Sequence, residues 1–304
     1  MLIPQALRGI LPPILTPLTD DEQVDHASLR RLIEYQIAGG VHGIWVTGTT
    51  GEFPCFDERE RASVVATTVE TVAGRVPVVA GIGDCSTRLA VRHAQAAREA
   101  GVDAIALTPP HYYVNTPDEL LAHYRTVRER VDLPLMVYNI PQNVKVKLEV
   151  KTVLTLAEEG AVVGIKDSQN DLDWFRQVMV GARSTGREFR GFLGTRYLID
   201  AGLIAGAHGA IPSVGNVGPE LAVATFEAAS RGDWAAAARA QEQLGELSTR
   251  IAAISSLLPA LKGAMKVLGV FCSARMTLPF HTVTPAEETR IRALLDEVGV
   301  TPRL

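Results

Sequence analysis

Eight short apolar runs, each followed by a longer stretch, constrain this chain more than any other feature. They are Gly9–Thr16, Gly43–Thr47, Pro77–Gly81, Ala104–Thr108, Leu135–Asn139, Val162–Lys166, Arg190–Leu193 and Gly209–Ile211. Successive runs are roughly 20–35 residues apart, the length that a strand, a helix and two connections need. The intervening stretches Ala27–Ala38, Asp57–Ala73, Arg88–Ala100, Pro117–Arg130 and Glu149–Glu159 read as helices. The Ala-Gly pairs at 38–39, 73–74 and 100–101 read as helix ends, because glycine takes the left-handed turn that closes a helix at no steric cost. Eight β/α units in series predict an α/β chain closed into a (β/α)8 TIM barrel of parallel strands. The rival, an open doubly wound sheet, is disfavoured by the lack of a dinucleotide fingerprint.

After the eighth run, Pro219–Arg231, Asp233–Ala253, Leu257–Leu268 and Pro285–Val298 read as helices, with Asp233 and Ser255 as N-caps. A plain barrel needs fewer. The expected division is a catalytic barrel over residues 1–230 and a helical extension over 231–304.

Composition narrows the function classes. The net charge is −4 and no basic stripe marks a nucleic-acid surface. No apolar run reaches membrane-spanning length, and no charged-then-apolar leader pattern is visible. The three cysteines, Cys55, Cys85 and Cys272, form no CxxC pair, which suits a reducing cytoplasmic setting and argues against a zinc or disulfide framework. Cys55 reads as packing.

In a parallel barrel, chemistry gathers at the C-terminal ends of the strands. Lys166 is at such an end, closing the run Val162-Val163-Gly164-Ile165-Lys166. The chain uses 24 arginines and only six lysines, so a lysine at the inner end of an apolar strand asks for a reason. One is a pair with a carboxylate such as Asp167. The other is nucleophilic: desolvation lowers a lysine's pKa, and the neutral amine attacks a carbonyl to form a Schiff base. Tyr138, one strand away, suits either core packing or proton shuttling. The Gly48–Glu52 loop offers two hydroxyls and several N–H groups to a carboxylate, or is simply a tight turn; it lacks the lysine of a P-loop. Glu52 fits a tie for that loop better than a base. His42, His111 and His208 are isolated, so a metal-dependent aldolase is the weaker option.

With these positions assembled, the chain resembles the family of dihydrodipicolinate synthase and N-acetylneuraminate lyase, Schiff-base-forming (β/α)8 enzymes acting on pyruvate or 2-oxo acids. The resemblance covers nearly the whole chain. It is carried by Gly48-Thr49-Thr50-Gly51-Glu52, Tyr138-Asn139-Ile140-Pro141 and Gly164-Ile165-Lys166-Asp167-Ser168, in order and on the expected strands. It implies Lys166 as the imine residue and Tyr138 as proton shuttle. Thr49 and Thr50 would grip the 2-oxo acid carboxylate, with Thr50 linking Tyr138 into a relay. Tyr113 would reach into a neighbouring subunit's site, so the resemblance implies at least a dimer and commonly a dimer of dimers. It extends the substrate-contacting set to Gly51, Asn143, Ser168, Gly194, Arg196, Ile211 and Ser213. No metal and no organic cofactor is expected; the partners are a 2-oxo acid such as pyruvate and an aldehyde.

Two departures bear on the substrate. Members condensing pyruvate with aspartate semialdehyde usually carry an arginine shortly after the Tyr-Asn-x-Pro motif, where this chain has Asn143. Sialate lyases carry acids after strand seven, where this chain has Thr195-Arg196-Tyr197. Arg196 suits a substrate with a distal anionic or carbonyl group, or is held by a local carboxylate. The expected reaction is aldol cleavage or formation with a 4-hydroxy-2-oxo acid, such as a 2-keto-3-deoxy sugar acid. The alternatives are a dehydratase using the same imine, dihydrodipicolinate synthase with an atypical second-carboxylate site, and an oxo-acid-binding barrel without turnover.

Overall fold

The computed structural model describes residues 7–301. Its eight strands are β1 (Gly9–Ile10), β2 (Ile44–Val46), β3 (Val78–Gly81), β4 (Ala104–Leu107), β5 (Leu135–Asn139), β6 (Gly164–Asp167), β7 (Arg190–Leu193) and β8 (Gly209–Ala210). All pair in parallel in sequential order from β2 to β8, and β8 pairs with β1. The ring closes between β1 and β2 through a bridge of Pro13 with Trp45, with the Ile14 N–H donating to Trp45 O at 2.9 Å. The expected first strand, Gly9–Thr16, is therefore cut to two residues. Pro12 and Pro13 have no N–H to give a ladder, which limits the rest to isolated contacts. Gly9 and Gly209 are where the ring is tightest: a Cβ at Gly209 would fall 1.9 Å from Gly9 O.

Barrel helices follow the strands: α1 (His26–Ala38), α2 (Glu58–Val72), α3 (Thr87–Ala100), α4 (Pro117–Arg130), a single turn α5 (Pro141–Val144), α6 (Val150–Glu159), α7 (Leu172–Ser184), α8 (Ile199–Ile204) and α9 (Pro219–Ser230). Their starts are written in the sequence. Asp57 and Glu60 form a reciprocal capping box at α2, and Thr116 and Glu119 form another at α4, each satisfying N–H groups that a helix cannot satisfy itself. Gly101 closes α3 in the left-handed conformation, as expected, whereas at the end of α1 Gly39 stays right-handed and Gly40 makes the left-handed turn.

The remaining helices are α10 (Trp234–Ala252), α11 (Leu257–Val267) and α12 (Pro285–Val298). Asp233 caps α10 by accepting from Ala236 N at 3.0 Å. Ser255 does not cap α11; Ser256 holds that position without a side-chain bond. α10 packs along α9, and α11 against α12. Leu244, Leu261 and Ile291 from these three helices belong to the same apolar cluster as the barrel strands. Among the described residues no helix is long and apolar enough to cross a membrane.

Candidate active site

The register of the sheet sets the site. β5 and β6 align Tyr138 with Lys166 and Asn139 with Asp167. Side chains alternate along a strand, so Tyr138 and Lys166 project to one side as neighbours while Asn139 and Asp167 project to the other. Lys166 is 3% exposed, with Nζ 4.1 Å from the Tyr138 ring centroid and 4.6 Å from that of Trp45. Burial lowers its pKa, partly opposed by Tyr138. No carboxylate pairs with it among the described residues. Asp167, the partner that the sequence offered, is turned away and accepts from Asn139 Nδ2 at 2.7 Å. Burial pushes the Asp167 carboxyl up to about 7. Lys166 is thus a desolvated amine among aromatic faces, the state that favours nucleophilic attack.

The loop after β2 makes a 3₁₀ turn over Thr49–Gly51, whose own bonds begin with Gly51 N to Gly48 O (2.9 Å) and Glu52 N to Thr49 O (3.1 Å). The N–H groups of Thr49 and Thr50 lie outside those bonds. Thr49 Oγ1 is 3.3 Å from the Tyr138 hydroxyl. The hydroxyl that meets Tyr138 is therefore that of Thr49, whereas the link to Tyr138 was expected of Thr50. At three residues per turn, adjacent threonines point about 120° apart, and only one of them meets Tyr138. Gly51, expected to touch substrate, is not among the residues that line the cavity; its carbonyl accepts from Thr16 Oγ1 at 2.8 Å.

Glu52 ties the loop down. Its side chain is fully buried, 2.5 Å from the equally buried Lys262 Nζ of α11, and it accepts from Thr277 N (3.0 Å) and Thr277 Oγ1 (2.7 Å). Lys262 also donates to Arg275 O at 2.8 Å. Nothing in the local sequence around Glu52 announces a partner 210 residues away.

Above Lys166 opens a cavity of about 290 Å³. Thr49, Thr50, Tyr138, Asn143, Lys166, Ser168, Gly194, Arg196, Ile211 and Ser213 all line it. Pro13, Ile140, Gln142, Asn170, Thr195, Tyr197, Leu257 and Leu258 also line it and were not among the expected site residues. The two leucines come from the start of α11, far along the chain. A side chain at Gly194 would press on the site: a Cβ there would be 2.0 Å from Ser168 Oγ and 3.1 Å from Lys166 Cε, so both would have to shift. Tyr113 does not line the cavity. It is 72% exposed, ring to ring with Tyr112 at 5.0 Å. Among the described residues, Arg196 has no carboxylate within ion-pair distance, so a local salt bridge does not hold it; its carbon lies 5.0 Å from the Tyr197 ring centroid.

Among the described residues, one cluster of metal-ligating type lies elsewhere. Ligand atoms of Asp84, Cys85 and His111 are within 4.8 Å of one another. Asp84 already accepts from Arg61 (3.3 Å) and His93 (2.8 Å), and none of the three lines the cavity.

Comparison with known proteins fits this geometry. Residues 6–298 match the dihydrodipicolinate synthetase family. A 4-hydroxy-tetrahydrodipicolinate synthase of Phenylobacterium zucineum is 35% identical over 98% of this chain and 100% of its own length. The dihydrodipicolinate synthase structure from Bacteroides thetaiotaomicron superposes with a TM-score of 0.91 at 35% identity, covering 98% of this chain and 100% of that one. YagE of E. coli K12, a prophage protein solved in complex with pyruvate, gives a TM-score of 0.91 at 27% identity, covering 97% of this chain and 99% of that one.

Proposed function

The chain belongs to the dihydrodipicolinate synthetase family, whose members are pyruvate-dependent lyases, and from that premise we propose that it makes and breaks a C–C bond between pyruvate and an aldehyde through an imine on Lys166. The observation that carries the reading is Lys166 itself, a buried amine without a counter-ion, aligned with Tyr138 at the floor of the cavity.

The steps follow from the groups present. Neutral Lys166 Nζ adds to the C2 carbonyl of a 2-oxo acid whose carboxylate is held by the Thr49–Thr50 turn. Loss of water from the carbinolamine leaves a protonated imine. Tyr138 takes the proton of the C4 hydroxyl, the C3–C4 bond breaks, and its electron pair flows into the imine to give an enamine and an aldehyde. Protonation of the enamine at C3 and addition of water release pyruvate and restore the amine. Thr49, bonded to Tyr138, passes the proton onward. Tyr113 completes the relay from a second subunit in a homo-oligomer, which accounts for its exposure here.

The favoured substrate is a 4-hydroxy-2-oxo acid of the 2-keto-3-deoxy sugar acid type, since Ser168, Ser213, Gln142 and Asn170 line the cavity with neutral hydrogen-bonding groups. The second reading, 4-hydroxy-tetrahydrodipicolinate synthesis, draws on the Phenylobacterium relative's name. It is weakened by Asn143 standing where such enzymes usually carry an arginine.

The test is borohydride trapping. Incubation with pyruvate and borohydride is expected to leave an adduct on Lys166, located by peptide mass. No adduct, or one on Lys262 or Lys266, sinks the assignment.

A further inference from the structure

We propose that Arg196 is an anion clamp that selects 2-oxo acids carrying a second anionic group, carboxylate or phosphate, at the end remote from the ketone. The inference rests on the Lys166 imine reading and adds the chemistry of the other end of the substrate.

The charge inventory of the cavity is one-sided. Its lining contains Lys166 and Arg196 and no aspartate or glutamate. Lys166 is consumed by the ketone, and the 2-oxo acid carboxylate has the Thr49–Thr50 turn. That leaves the guanidinium of Arg196 without an anion. Its Nε is buried and has no hydrogen-bond partner among the described residues. Its neighbour is Tyr197, which it hydrogen-bonds and whose ring centroid lies 5.0 Å from its carbon, so the permanent charge of the arginine has a neutral partner and no counter-ion.

The loop that carries Arg196 is built to hold it still. Gln241 of α10 donates to Arg196 O at 2.8 Å and accepts from Ile199 N at 2.8 Å. Thr195 Oγ1 accepts from Tyr197 N at 3.2 Å. Tyr197 is anchored on α10 through its hydroxyl to Thr249 at 3.0 Å, with its ring beside Gly245. The arginine thus projects from a segment stapled at both ends, the pre-organisation that makes a fork-shaped donor selective for carboxylate or phosphate. The volume is compatible: about 290 Å³ is room for roughly ten water volumes, enough for a 2-oxo acid of five or six carbons with an anionic end. A clamp in the loop after β7 also offsets the missing arginine at Asn143, and among 2-keto-3-deoxy sugar acids it favours those whose far end is phosphorylated or oxidised to a carboxylate.

The experiment uses the intact protein and reads ratios. In the first arm, borohydride trapping is titrated with pyruvate, 2-oxopentanoate, 2-oxoglutarate and 2-oxoadipate. In the second, aldol addition of pyruvate is measured with glyceraldehyde and with glyceraldehyde 3-phosphate. In the wild type, at least one anionic probe is expected to saturate about 10- to 100-fold lower than its neutral counterpart, the range of a charge-assisted contact. The diacid arm identifies a carboxylate clamp and the phosphate arm a phosphate clamp. Arg196→Ala should collapse that ratio to near one, and Arg196→Lys should restore part of it. Equal saturation by anionic and neutral probes in both arms, or a preference that survives Arg196→Ala, overturns the clamp. Failure of pyruvate itself to trap on Lys166 would instead overturn the imine reading.

Discussion

Lys262 offers the sharpest test of how the loop after β2 is held. Lys262→Met replaces a cation of similar volume with an apolar chain. It removes the 2.5 Å contact to Glu52 and leaves that carboxylate buried with only its two bonds from Thr277. Both side chains are fully buried, so solvent cannot take over from the lost partner. Breaking such a pair by deleting one member costs about 3–5 kcal/mol. The exposed pair Arg30–Glu70, at 2.8 Å with side chains 46% and 71% exposed, serves as the control; Arg30→Ala should cost less than about 1 kcal/mol. The double variant Glu52→Gln/Lys262→Met removes both charges and is expected to recover at least about 2 kcal/mol, because no uncompensated ion remains. Urea unfolding followed by tryptophan fluorescence and by circular dichroism supplies the free energies. If Lys262→Met costs no more than Arg30→Ala, or the double variant is no better than the single ones, the buried pair is not what secures the loop.

Other predictions come from the cavity floor and its surroundings. Tyr138→Phe should retain imine trapping on Lys166 while turnover falls on the order of 10²–10⁴-fold; unchanged turnover in a steady-state pyruvate-release assay would remove Tyr138 from the mechanism. Gly194→Ala should stay folded but slow trapping on the order of 10²-fold, since the new methyl would displace Ser168 Oγ and crowd Lys166 Cε; trapping at the wild-type rate would refute that reading. Asp167 is held neutral in the fold up to about pH 7, against an unperturbed value of 3.8. Between those values the folded state binds more protons than the unfolded state, so this residue's contribution makes stability fall as pH rises through the window. Urea midpoints of Asp167→Asn relative to wild type should therefore rise from pH 4 to pH 7 and level off above it, and a constant difference would contradict the assignment.

The barrel was legible because its signal repeats. Strands buried on both faces read as continuous apolar runs, and Asp233 and the Ala-Gly pairs mark helix ends in plain residue types. Lys166 and Tyr138 were legible because the strand-end rule needs only their place on a strand, not their contacts. What escaped depends on distance in the chain or on fine geometry. Local sequence cannot show that Pro12 and Pro13 shorten β1 to a two-residue ladder, although the missing donors were there to be counted. It cannot show which of two adjacent threonines a 3₁₀ turn presents to Tyr138. Lys262 resembled any helix lysine, and its ion pair with Glu52 became visible only when α11 was laid beside the loop. Leu257 and Leu258 entered the cavity wall the same way.

That late-arriving wall carries a consequence for how the protein is made. The strands that position Tyr138 and Lys166 are complete by residue 167, and the ring by residue 210. The anchors of the two loops beside the cavity come afterwards: Gln241 and Thr249 for the loop after β7, Lys262 and Thr277 for the loop after β2. Synthesis runs from the N-terminus, and chains begin to fold as they emerge. Lys166 and Tyr138 are therefore made before the residues that anchor either loop. On the proposed reading, the loops that would hold the substrate gain their anchors only when α10, α11 and the segment through Thr277 have packed on the barrel.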